Sequence, residues 1–397
     1  MARKKKEKNV IRPRGRAPVV LYGLTIFSSA FLLFQVQPIV AKYILPWYGG
    51  SQAVWSVSLL FFQAFLLLGY LYAHLLRKLG NQRRETVIHC ALLAASLLLM
   101  PIIPGDAWRA AGGTDPTWQI LGLLTATLGL PYLLMASTSP LVQSWYPKSF
   151  GMSTYRLYAV SNLGSLLGLV TYPFLVEPSM TRTAQAVAWS WGMGGFAILA
   201  GLSAVASLRP AGDPDVDRPS NRSIGRAEDG EPARRPTDMR DPHRIAFWVL
   251  LPALASVLLL STTNKLVQEL VAVPFLWILP LTVYLLSFIL TFDSSRWYDR
   301  RVFLGLLAGS FGGVLYFLML REDPPLLLSI AFYTAGLFAG CMVCHGELVR
   351  LKPPPRLLTA FYLCLAAGGA VGGLFVAVIA PAIFNDYTEY PLVLVLI

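Results

Sequence analysis

In hydrocarbon every backbone N–H and C=O has to be satisfied within the chain itself, so an apolar run of ~20 residues has essentially one fold, the spanning helix. Runs of that kind begin near Pro18, Ser51, Thr86, Thr117, Tyr155, Ala184, Ile245, Val271, Val302, Pro324 and Leu357, and a twelfth begins at Pro391. They predict an all-α integral membrane protein, a polytopic helix bundle of eleven or twelve spans. The composition agrees, with 55% hydrophobic and only 14% charged residues, well below the charge of a soluble domain. The chain stops at Ile397, inside the last run, and we expect further sequence beyond it. The basic segment 1–17 leads into a first run too long for a signal peptide and without a clear small-residue cleavage site, so that run is expected to be retained as a helix.

The net charge of +12 invites a nucleic-acid reading, but the basic residues fall between apolar blocks rather than on one face. Their placement gives an orientation instead. The N-terminal segment holds Arg3 to Arg16; later connections on the same side hold Arg77, Lys78, Arg83, Arg84, Lys148, Arg156, Arg296, Arg300, Arg301, Arg350, Lys352 and Arg356, and a central stretch adds eight arginines. The opposite side is left with Lys42, Arg109, Arg182, Lys265 and Arg321. The positive-inside rule therefore predicts a cytoplasmic N-terminus and supports the helix count.

From Ser207 to Arg244 the chain is rich in Pro, Arg and Asp and nearly lacks large apolar residues, the composition of a disordered cytoplasmic linker. It divides the membrane region into halves 18–206 and 245–397, the second incomplete in its last helix. The halves also resemble each other. Tyr158, Gly164 and Gly168 of the fifth run recur at one constant offset as Tyr362, Gly368 and Gly372 of the eleventh, and the same offset relates Gln143 to Glu347. Parallel six-helix repeats about a cytoplasmic linker are the major facilitator-like arrangement, with sites between the halves near the midplane.

Two motifs suggest chemistry that their context disfavours. Cys341-Met342-Val343-Cys344-His345 matches the C-x-x-C-H pattern of haem attachment, yet it closes the tenth run on the predicted cytoplasmic side, and helix packing is the expected role of its thiols. The spacings Gly164/Gly168, Gly368/Gly372 and Gly369/Gly373 are GxxxG pairs; GGAVGG follows no strand, so close helix approach is expected rather than nucleotide binding. No catalytic constellation stands out, and no cofactor or metal is expected. Polar residues at membrane depth say more, because burying them in hydrocarbon is costly unless they face a cavity or a partner helix. They are Gln35 and Gln37 before Pro38, Asn162, and the cluster Thr262, Thr263, Asn264, Lys265, Gln268 and Glu269. Lys265 and Glu269 also have the spacing of a solvated helix-end pair, and Glu347 beside Arg350 that of a surface pair.

Four segments together resemble the membrane region of bacterial fused spermidine synthase-like proteins: FQVQPIVAKYILPWYGGSQAVWSVSLLFFQAFLLLGYLYAH (34–74), SNLGSLLGLVTYPFLVEP (161–178), TTNKLVQELVAVPFLWILPLTVYLLSF (262–288) and CHGELVRLKPPPRLLTAFYL (344–363). The resemblance implies a bacterial inner membrane location and a cytoplasmic synthase-related domain beyond Ile397. This chain holds neither the glycine-rich loop nor the acidic residues such an enzyme needs, so aminopropyl transfer by these residues is not expected. Two functions follow as expectations. The helices transport or sense a small cationic metabolite such as a polyamine, with Gln35, Gln37, Asn162, Asn264, Glu269 and Glu347 as candidate binding residues, or they anchor a fused or associated synthase-like domain in membrane lipid.

Overall fold

The apolar runs fold as helices that bury one face against their neighbours and leave the other apolar face outward, as in Trp191, Leu98 and Leu327, which suits a lipid surround. The computed structural model describes residues 16–48, 52–105, 108–109, 116–145, 154–208, 242–269, 274–320, 325–353, 358–384 and 389–397. Among them the first-half helices are α1 (Arg16–Ile44), α2 (Gln52–Arg77), α3 (Gln82–Leu97), α4 (Thr117–Trp145), α5 (Thr154–Thr171) and α6 (Arg182–Ala206). The second half supplies α7 (Pro242–Glu269), α8 (Pro274–Asp293), α9 (Arg300–Leu320), α10 (Leu326–Arg350), α11 (Leu358–Leu374) and α12 (Glu389–Leu396). The expected helical bundle is thus present. Eight of these helices are long and apolar enough to cross a bilayer; α3, α8, α9 and α12 fall short of that length or apolarity within the described residues.

Local chemistry sets several boundaries. Asn81 starts α3 by accepting from the N–H groups of Arg83 and Arg84, and Thr181 starts α6 by accepting from Ala184. Past Thr171, α5 widens into a π-turn (Tyr172–Val176) and resumes at Glu177–Ser179; α11 does the same through Phe375–Ile379 and Ala380–Ile383. A proline, Pro178 or Pro381, follows each widened turn at the corresponding place and cannot donate to the helical ladder.

The two halves repeat one packing scheme: α1 lies against α5 and α6, and α7 against α11 and α12, while α2 pairs with α4 as α8 pairs with α10. The glycines singled out in the sequence make the tightest of these contacts. Side chains added at Gly164 and Gly168 would run into the carbonyls of Phe27 and Phe31 on α1, and side chains at Gly368 and Gly372 into those of Val249 and Ala253 on α7. Each pair of glycines therefore lets two backbones approach at successive turns. Gly373 instead receives the Gln63 side chain of α2, and Gly369 meets nothing, so the third GxxxG pair is not a single helix contact.

Call the end where α6 finishes and α7 begins the linker end. From the opposite, far end to the middle of the bundle one apolar cluster runs through both halves, joining Ile39, Ile44, Val54 and Leu59 to Leu259, Ile278 and Leu281. At the linker end the halves have separate clusters. Tyr22, Leu76, Trp145 and Leu157 belong to the first half alone, and Trp248, Leu348 and Phe361 to the second. The segment 209–241, where most of the predicted linker falls, lies outside the described residues.

Candidate functional site

The shared core extends from the far end to the wall of a cavity of about 240 Å³, and beyond it toward the linker end the halves have separate clusters. The cavity wall comes from α1, α2, α4 and α5 of one half and α7, α8, α10 and α11 of the other. Its aromatic surface includes Phe34, Phe62, Tyr132, Tyr284 and Phe288; its polar groups include Ser29, Gln37, Gln63, Ser139, Asn162 and His345. None of the described wall residues is Asp, Glu, Lys or Arg.

The polar wall groups are held in defined poses. Gln37 donates from Nε2 to the Tyr132 hydroxyl at 3.4 Å, and Ser29 donates to the Met135 carbonyl at 2.7 Å. Gln63 donates across the halves to Ser256 Oγ at 2.6 Å, and Ser256 in turn donates to the Gly369 carbonyl at 3.1 Å. His345, 1% exposed, has Nδ1 3.1 Å from Ser287 Oγ and its ring edge-to-face with Tyr284 and Phe288. Its Nε2 is buried with no hydrogen-bond partner.

The six residues singled out in the sequence lie in different places. Gln37 and Asn162 line the cavity, from α1 and α5. Gln35 is buried within the first half and is not on the wall. Asn264 sits at the far end, where its Oδ1 accepts from Ser56 Oγ at 2.8 Å and ties α7 to α2. The side chain of Glu269 lies outside the described residues. Glu347 lies at the linker end, accepting from the Tyr298 hydroxyl at 2.8 Å and pairing with Arg350 at 2.9 Å and Arg300 at 3.8 Å. Tyr298 is in the connection before α9, where burial and then its bond to Glu347 hold its phenol above the ordinary value. Lys42, at the end of α1, pairs with Glu177 just past the π-turn of α5. Cys341 and Cys344 are core residues of α10, as a packing role requires.

Gln63 and His345 also line the wall, though neither is among the polar residues that the sequence singles out at membrane depth. Gln63 interrupts the apolar run FFQAF, a visible signal. His345 carried its signal in the same motif that suggested haem, at a position that sequence alone places near a helix end.

Sequence comparison finds no matching family and no matching curated protein. Comparison of structures finds the fold. The POT family transporter PepTSo is similar over 97% of this chain and 93% of its own, with a TM-score of 0.58 at 12% identity. A D-xylose-proton symporter matches over 95% of this chain and 96% of its own, with a TM-score of 0.54 at 14% identity. The xylose transporter XylE from E. coli, in an inward-open conformation, matches over 96% of this chain and 94% of its own, with a TM-score of 0.52 at 13% identity. The chain is a multi-pass membrane protein with the major facilitator fold.

Proposed function

We propose that the chain is a transport module that carries a small solute through the cavity between its halves by alternating access. The observation that carries this reading is the asymmetry of the interface: one apolar core shared by the halves runs from the far end up to the wall of the cavity, and at the linker end each half has a core of its own. Such an arrangement has a counterpart in which the far end parts and the linker end closes. The halves 18–206 and 245–397 are the two moving bodies, and the Lys and Arg bias makes the linker end cytoplasmic. The solved neighbours named above are transporters, which supports the reading.

The wall favours an uncharged solute. A polyamine, suggested by the synthase-like resemblance, would have to exchange the water around its ammonium groups for π faces alone, since the described wall carries no carboxylate. Glu347 is engaged by Tyr298 and two arginines at the linker end. The third reading, an anchor for a synthase-like domain, needs no cavity at all. Uptake into vesicles reconstituted with the purified protein tests all three. Saturable flux of an uncharged solute supports the proposal. Saturable spermidine flux that falls in Glu347→Gln and Glu269→Gln would establish the polyamine reading, and no flux across a solute panel would leave the anchor.

A further inference from the structure

Two contacts of Ser287 indicate which nitrogen of His345 is an acceptor. A serine hydroxyl has one proton, and Ser287 Oγ places it on the Tyr284 carbonyl at 2.7 Å. At 3.1 Å from His345 Nδ1 the same oxygen is then placed to accept, which assigns the ring proton to Nδ1 and leaves Nε2 with a bare lone pair. That lone pair is buried and unpartnered, on a residue that lines the cavity. An unmet acceptor in such a place is costly, and a donor that reaches it is strongly favoured.

We infer that His345 Nε2, with the half-buried amide of Asn162 on the other half, recognises a compact uncharged solute that carries an N–H or O–H donor and a flat apolar face. The inference rests on the proposed transport cavity and narrows what it takes. Charge is excluded by the wall, whose described residues offer neither a carboxylate nor a cation to a buried ion. Size follows from the volume of about 240 Å³, below the ~300–1,000 Å³ of sites for drug-sized ligands. The flat face is matched by the rings of Phe62, Tyr132, Tyr284 and Phe288. In this structure Nε2 is covered, with the Tyr284 and Phe288 rings edge-to-face against the imidazole, and the solute has to displace what covers it.

The test uses the full chain, purified in detergent and labelled with ¹⁵N at its four histidines. The probes are three pairs that differ only in a blocked donor: benzamide and N,N-dimethylbenzamide, indole and 1-methylindole, phenol and anisole. Spermidine is the charged control. Without a probe, the His345 signal, identified by its loss in His345→Gln, should be that of the Nδ1–H tautomer. At least one donor-bearing probe should shift its Nε2 resonance and bind about tenfold or more tightly than its blocked partner. His345→Gln, which keeps an acceptor, should retain that preference, and His345→Phe should lose it. An Nε2–H tautomer, equal binding within every pair, no binding by any probe, or displacement by spermidine would each overturn the inference. Failure of the transport reading is separable. Donor-selective binding with no vesicle flux removes transport and leaves the subsite, whereas flux undiminished in His345→Phe removes the subsite and leaves transport.

Discussion

At Gly164 and Gly368 the missing Cβ is the reason two helices can touch, because the nearest neighbour is a backbone carbonyl that cannot step aside. Leucine at either site has to push α1 from α5, or α7 from α11, so Gly164→Leu and Gly368→Leu should each destabilise the protein by about 1–3 kcal/mol or more. Thermal unfolding in detergent measures this. Gly194→Ala is the control, since nothing lies within 4 Å of a Cβ there, and it should leave the midpoint unchanged or raise it slightly. Tyr298 offers a test by pH. Its folded pKa is raised above 10.0, so its contribution to stability is complete below that pH and is lost as pH climbs through the higher folded value. Tyr298→Phe should therefore lose stability less steeply than the parent above pH 10 in the same unfolding assay. The glycine spacings were readable because small residues at every fourth position mean contact in lipid. Spacing does not give the rotation of a helix about its axis, which is why Gly369 opens on the cavity while Gly368, its neighbour, is a contact.

Between helices, α2 and α7 meet through a polar seam that no single residue type announces. The helices run in opposite directions, so Ser56 pairs with Asn264 near the far end and Gln63 with Ser256 nearer the middle. Both bonds cross between the halves, and the first belongs to the closed far end alone. Interhelical hydrogen bonds in membranes are worth about 0.6 kcal/mol on average, so losing this one should shift the ratio of the two conformations about threefold toward the far-open state. Val54 reports it, being buried in the shared core of the far end. Labelling of Val54→Cys from the far side should rise about threefold in Asn264→Ala, equally in Ser56→Ala, and no further in the double variant. Asn264 was legible as a polar group that needs a partner, but sequence does not say whether that partner is a solute or another helix. The π-turns of α5 and α11 were similarly hidden: their prolines show in the sequence, but a proline alone does not say that the helix before it takes an extra residue per turn.

For the whole molecule, sidedness and mechanism are joined, because the same end carries the basic connections, the central linker and the parted halves. Eight arginines between 207 and 244 make transfer of that segment across the membrane unfavourable, so the linker end should be cytoplasmic and the cavity open to the cytoplasm. Two cysteines test the two statements separately in a background without the native four: Ser220→Cys within the linker, outside the described residues, and Ser161→Cys on the wall of α5. A membrane-impermeant thiol reagent should modify both in inside-out vesicles and neither in intact cells. Ser220→Cys labelled from outside would reverse the orientation. Ser161→Cys labelled only from outside, with Ser220→Cys still cytoplasmic, would mean that the halves part at the far end in the membrane. A reagent that reached Ser161→Cys from neither side would leave no open path to the cavity, and alternating access would fail with it.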